Sequence, residues 1–325
     1  MESYFELFRR HGLKLWVSFF VGSLAATVVA GIFAFLIFLI GGIALFFSAG
    51  DVFSALEEAF DPFAPDPAAA LEAVFSPGVI ISLLMMFLLF IGVVLFYSGF
   101  TNAGMNTMMR NAVFEDRSSI ETYFTQGFRY MMKMVGQIFL TGLFYIPAII
   151  LVTIGIFLMI YGIAEGGAGP VLGGFLLFLV AAALFIVLAL VFLHAPVILV
   201  TENAGIWESI ALSARLFKRS FGQVFISGLI VFLIYLAYGT FFFILGAIVG
   251  IATFDPEAVN AANTGGSGLQ TFFNLIQYAL TPLIQVLSLL AIFVRYRNRL
   301  RPVLYPEQNG NDGDGEIGGT KMIWG

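Results

Sequence analysis

Cysteine is absent, so no disulfide can staple this chain and no thiolate can act as nucleophile or metal ligand. Charge is scarce. Asp, Glu, Lys and Arg make up 11% of the 325 residues, against about 25% in a soluble domain. Histidine occurs only at His11 and His194. The phosphate-loop and dinucleotide fingerprints, zinc-ligand clusters and the nucleophile elbow are all missing. Strand-like alternation over about ten residues is missing too, which argues against a membrane barrel. The chain is 60% hydrophobic, leaving too little polar surface to coat a fold in water.

The apolar residues fall into six runs, roughly 15–47, 78–109, 135–164, 171–200, 223–253 and 271–294. Each meets the need of about 20 apolar residues for a spanning helix. Several are longer, so tilt or kinking is expected, with Gly41–Gly42, Pro147, Pro196 and Pro282 as kink points. The first run is far longer than a signal-peptide core and reads as a retained span. All 15 Lys and Arg residues lie before the first run, after an even-numbered run, or in the tail. That parity supports six spans and, by the positive-inside rule, a plasma-membrane protein with both termini cytoplasmic.

The chain also repeats itself. GQIFLTGL begins at Gly136 and GQVFISGL at Gly222, with five of eight residues identical. Upstream, Glu115, Glu121 and Thr122 match Glu202, Glu208 and Ser209 at a spacing of 87, so one residue is lost before the octapeptide. A weaker third copy opens the chain, where Arg10 and Lys14 match Arg129 and Lys133 at a spacing of 119. The expected architecture is all-α and polytopic. Residues 1–306 form six transmembrane helices as three parallel repeats, about 1–112, 113–200 and 201–300, each an interfacial helix plus a two-span hairpin. The tail at 307–325, rich in Gly, Asn and Asp, is expected to be disordered. The connection at 50–77 carries six acids and no base and reads as a solvated face.

Each interfacial helix is expected to lie in the headgroup plane, with aromatics down and cations near lipid phosphates. Arg129, Lys133, Arg215, Lys218 and Arg219 are the expected contacts to anionic headgroups at the cytoplasmic face. Glu121 and Glu208 read as helix caps, Glu121 in a capping box with Ser118 and Glu208 in a weaker one with Gly205. Gly136, Gln137, Gly222 and Gln223 mark the joint where interfacial and spanning segments meet. There, small residues allow close helix approach and the amides bond across helices.

The polar residues inside the spans are the candidate site. In the last run Gln270, Asn274, Gln277, Thr281, Gln285 and Ser288 follow at steps of three or four, which places them on one helical face. The second run carries Asn102 and Asn106, and the fourth carries His194. Amides and an imidazole in lipid should face the bundle interior. They form either a packing stripe or a polar path for a small solute or lipid headgroup. His11 reads as a surface residue.

The stretch ENAGIWESIALSARLFKRSF at 202–221 resembles the membrane domain associated with some glycerophosphoryl diester phosphodiesterases, and related six-span families. The resemblance implies the membrane architecture. It does not extend to the hydrolase, because those relatives carry the activity on a separate soluble barrel that has no counterpart here. No enzyme activity, cofactor, metal or nucleic-acid partner is expected. The expected function is a membrane-embedded scaffold or accessory subunit of envelope or transport systems, with a permease or channel-like protein as the alternative.

Overall fold

The computed structural model describes residues 4–48, 77–252 and 268–306. The acidic connection between the first two spans and the tail lie outside these. Among the described residues all regular structure is helical, and six helices are long and apolar enough to cross a membrane. In chain order the helices are α1 (Tyr4–Ser48), α2 (Pro77–Phe114), α3 (Ile120–Ala164), α4 (Ala168–Phe192), α5 (Ala195–Thr201), α6 (Ile206–Arg219), α7 (Phe221–Ala252) and α8 (Gly268–Arg295). A π-helical turn, Tyr296–Leu300, and a short α9, Arg301–Leu304, follow without a break. Large apolar side chains such as Phe33, Phe87, Phe157, Leu176 and Phe232 stay exposed along the spans. That surface suits lipid, since a bilayer solvates it and water does not.

The spans pack in sequence, α1 on α2, α2 on α3, α3 on α4, α4 on α7 and α7 on α8, and α8 returns to α1. The ring is therefore closed. Inside it α2 also meets α8 and α5. The buried core gathers at the end of the bundle that carries the basic residues. It is built from Ala103, Met108, Met109 and Ala112 of α2, Val197–Val200 of α5, and Leu290, Phe293, Tyr296 and Leu300 at the end of the chain's last span.

The start of α1, the start of α3 and the separate α6 each lean on a neighbouring pair of spans. Tyr123, fully buried at the start of α3, packs on Phe19 and Phe100 of the first hairpin. On α6, Trp207 stacks on Phe144, and Ser213 donates to the carbonyl of Val191, both in the second hairpin. At the start of α1, Tyr4 donates to Leu287 O at 3.2 Å and Trp16 Nε1 to Ala279 O at 3.0 Å, both in α8.

The joint between amphipathic and spanning segments differs from the sequence expectation. Only α6 is a separate helix, whereas the corresponding segments of α1 and α3 run on unbroken into their spans. Gly136 therefore lies inside α3 and is no joint. The break in the last unit comes at Ser220, not at Gly222. Ser220 N–H closes α6 on Leu216 O at 2.8 Å, and its own carbonyl accepts from Gln223 and Val224 at 3.0 and 3.1 Å. The break falls in the interval between Glu208 and Gly222, which is one residue shorter than that between Glu121 and Gly136. Deleting one residue from a continuous helix turns everything beyond it by about 100°.

The helix starts also refine the capping expectation. Ser119, not Ser118, caps α3 by accepting from Glu121 N at 3.2 Å, and Glu121 sits in the first turn, where the helix dipole favours an acid. Ser118 instead bonds His11. At α6, Glu208 Oε2 accepts the Gly205 N–H at 3.1 Å.

Candidate functional site

Two cavities, each of about 320 Å3, open between the spans above the core. One lies among α1, α2 and α8 and is lined by Ser23, Ser98, Thr101, Asn102, Tyr278, Thr281 and Gln285. The other lies among α2, α3, α4 and α5 and is lined by Asn102, Gln137, Thr141, Tyr145, Ala195 and Pro196. Asn102 belongs to both, so it stands between the two cavities on α2. The two cavities, termed the vestibule, each mix polar with apolar side chains, and the outer face of the spans is apolar.

Two further polar side chains, Asn106 and His194, lie close in sequence to lining residues without lining either cavity. One turn below Asn102, Asn106 is buried, and its Nδ2 donates to Asn102 O at 2.8 Å. Its Oδ1 has no protein partner. His194 lies next to Ala195 and Pro196 of the second cavity. It caps α5 at the point where Pro196 interrupts the fourth span, and its carbonyl accepts from Ile198 N at 2.9 Å. Its ring is buried, and Nε2 has no protein partner. Such atoms each cost about 1–3 kcal/mol if nothing satisfies them, and these two are among six buried side-chain atoms of the described residues that have no partner.

The stripe on α8 divides along its length. Thr281 and Gln285 line the vestibule, and Ser288 is buried below them. Gln277 and Asn274 are exposed farther from the core, and neither lines the vestibule. Pro282 interrupts the backbone ladder here, and nearby carbonyls take side-chain donors. Gln277 O accepts from Thr281 at 2.8 Å and from Tyr238 at 3.3 Å, while Ala279 O accepts from Trp16.

The repeated octapeptides share one local geometry and differ in partners. Thr141 and Ser227 each donate back to the carbonyl four residues earlier, at 2.8 and 3.0 Å. Gln137 is buried and donates to Ser209 of α6 at 2.8 Å. Gln223 accepts from Arg295 at 2.8 Å. A Cβ on Gly136 would meet Ile206 at 2.5 Å, whereas one on Gly222 would meet nothing.

Below the vestibule the basic end is closed by polar staples. Glu202 accepts from Tyr296 at 3.0 Å and from Arg301 at 2.9 Å, Arg297 donates to the Val113 carbonyl, and Arg301 sits over the Phe114 ring. The last span thus folds over the ends of α2 and α5. Of the other basic residues, Lys133 donates to Asn203 at 3.1 Å, Arg129 lies over the Tyr130 ring, and Lys218 and Arg219 sit in the last turn of α6. Arg215 is exposed on the same helix.

His11 is buried, contrary to its reading as a surface residue. Its Nε2 meets Asp116 Oδ1 at 2.6 Å and its Nδ1 meets Ser118 Oγ at 3.0 Å. The order Ser, His, Asp is that of a hydrolase triad. A second turn of the same geometry argues for a clamp instead. Tyr130, 119 residues after His11, donates to Asn203, 87 residues after Asp116, at 3.2 Å. Asp116 and Asn203 are both left-handed, with φ of 52° and 51°. A tyrosine and an amide cannot perform triad chemistry, yet they hold the same turn in the same way. Arg10 adds a 2.7 Å ion pair to Asp116, and hydrogen bonds from Arg10 and then His11 hold that carboxyl down at about 2.

Among the described residues no group of three or more His, Cys, Asp or Glu is placed to hold a metal. Comparison with protein-family models, with curated proteins and with solved structures finds no match.

Proposed function

We propose that this chain binds a small polar solute or a lipid headgroup within the membrane, in the vestibule centred on Asn102, and belongs to the permease or channel-like class. The observation that carries this reading is the placement of Asn102 on both cavities, one turn from buried Asn106, whose Oδ1 has no partner. Among the described residues the lining offers neutral donors and acceptors and no carboxylate, which suits a neutral ligand over a cation. The basic end is read as cytoplasmic and the membrane as the plasma membrane, by the positive-inside rule. The amphipathic α6 is read as lying in the headgroup plane. The three hairpins are read as tandem copies, supported by the matched turns at Asp116 and Asn203. The resemblance to phosphodiesterase-associated membrane domains contributes architecture alone.

A second reading is a scaffold or accessory subunit. It is favoured by the closure at the basic end, where Glu202 ties Tyr296 and Arg301 of the chain's last helical turns to the turn after the fourth span. Solute flux into reconstituted vesicles separates the two. Asn102→Leu and Gln285→Leu should each lower flux at least about tenfold while unfolding temperature stays within about 2 °C of the parent. Unchanged flux with a lowered unfolding temperature would favour the scaffold, with these amides acting in packing.

A further inference from the structure

A third cavity, of about 400 Å3, lies at the basic end between the start of α1 and the pair α7 and α8. Its walls are Tyr4, Phe5, Ile230, Ile234 and Val294, and among the described residues its one charged lining residue is Arg295. Phe5 is 78% exposed at its mouth.

Arg295 is half-buried and is held entirely by neutral acceptors. Its Nε donates to Ser227 Oγ at 3.0 Å, and one Nη donates to Gln223 Oε1 at 2.8 Å and to Gln223 O at 3.2 Å. Among the described residues it has no carboxylate within ion-pair distance. Arg10, Arg110 and Arg301 of the same end each have one, in Asp116, Glu115 and Glu202. Arg299 is a further cation close by. A cation drawn partly out of water without a counter-ion is costly, and a guanidinium matches a phosphate with two parallel hydrogen bonds.

We propose that this groove is a binding site for one anionic phospholipid of the adjacent leaflet. Its phosphate takes the free edge of Arg295, and an acyl chain lies along Ile230 and Ile234 toward Phe5. The octapeptide's second copy then has a specific use, because Gln223 and Ser227 orient the guanidinium from behind. The site is independent of the vestibule. Its position also gives it a structural role, since the lipid would seal the seam where α8 and α7 meet the start of α1.

The test uses the full chain, delipidated in neutral detergent, with thermal unfolding followed as lipid is added. Phosphatidylglycerol should raise the unfolding temperature by several degrees, because a ligand of the folded state stabilises it by mass action. Phosphatidylcholine and inorganic phosphate should not. Arg295→Gln should remove most of the shift, and so should Ile234→Trp, which fills the groove with the cation intact. Arg9→Gln and Arg117→Gln, exposed arginines outside the groove, should keep it. An equal shift from phosphatidylcholine, or the same shift from phosphate alone, would overturn the proposal. So would retention of the shift in Ile234→Trp, the variant that decides the question if Arg295→Gln fails to fold.

Discussion

Arg301 donates its Nε–H to Glu202 Oε1 at 2.9 Å, joining the end of the last span to the turn after the fourth. The same oxygen takes the hydroxyl of Tyr296, which is fully buried. The two donors are unequal. Glu202→Ala strands a buried hydroxyl and should cost about 1–3 kcal/mol. Arg301→Gln removes a partly exposed ion pair and should cost about 1 kcal/mol or less. Thermal unfolding in detergent checks the order. Equal losses would mean that Tyr296 finds another acceptor.

Asp116 gives a pH signature. Its carboxyl is pulled from 3.8 to about 2, first by the hydrogen bond from Arg10 and then by that from His11. A depressed folded value means the unfolded chain binds the proton first as pH falls. The stabilisation is complete above the unfolded value, declines below it and is gone near pH 2. Unfolding temperatures of the parent and Asp116→Asn, followed from about pH 6 downward, should converge at the acid end. Parallel curves over that range would show that the clamp does not depend on the charge.

The left-handed turn at Asn203 sets an unusual order of substitutions. Its φ of 51° suits Gly and Asn and costs other L-residues about 1–2 kcal/mol. Asn203→Gly and Asn203→Ala lose the same acceptor for Tyr130 and Lys133. Only Ala also meets the backbone penalty. Asn203→Ala should therefore unfold at a lower temperature than Asn203→Gly, the reverse of the order inside a helix. The matching pair at Asp116 should behave alike, as expected if the two turns are copies of one device.

The six spans were readable because lipid imposes one dominant requirement, a long apolar run, and hydropathy reports it directly. The octapeptide was readable as a repeat, but its two copies did not reveal their partners. Gln137 and Gln223 are the same residue in the same register, and one meets Ser209 while the other meets Arg295. Such differences arise from the neighbouring helix, which local sequence does not encode. His11 looked like a surface residue because arginine precedes it. The signal that could have corrected this was its match to Tyr130 at the spacing already used for Arg10 and Lys14. Glu202 looked like one member of a repeated acid pair, and its staple to Arg301 spans a separation that no local pattern reports. The polar stripe of α8 was visible as one face, but its division between vestibule and outer end depends on where α2 crosses it.

The glycines of the second hairpin provide the sharpest packing test. A Cβ on Gly174 would fall 2.5 Å from the carbonyl oxygen of Gly155, and one on Gly155 would fall 2.9 Å from that of Gly174. These obstacles are backbone atoms on the facing helix, so no rotamer change relieves them, and α3 and α4 must separate. Overpacking of this kind costs about 1–3 kcal/mol. Gly222 is the contrast, because a Cβ there meets nothing and alanine improves helix propensity by up to about 1 kcal/mol. Gly174→Ala should lower the unfolding temperature and Gly222→Ala should leave it unchanged or raise it. Gly136→Ala should fall between them, since its obstacle is the mobile Cδ1 of Ile206. If Gly174→Ala proved neutral, the close crossing of α3 and α4 would be wrong. If Gly222→Ala proved costly, the octapeptide's second glycine would have to sit against a surface that this fold leaves open.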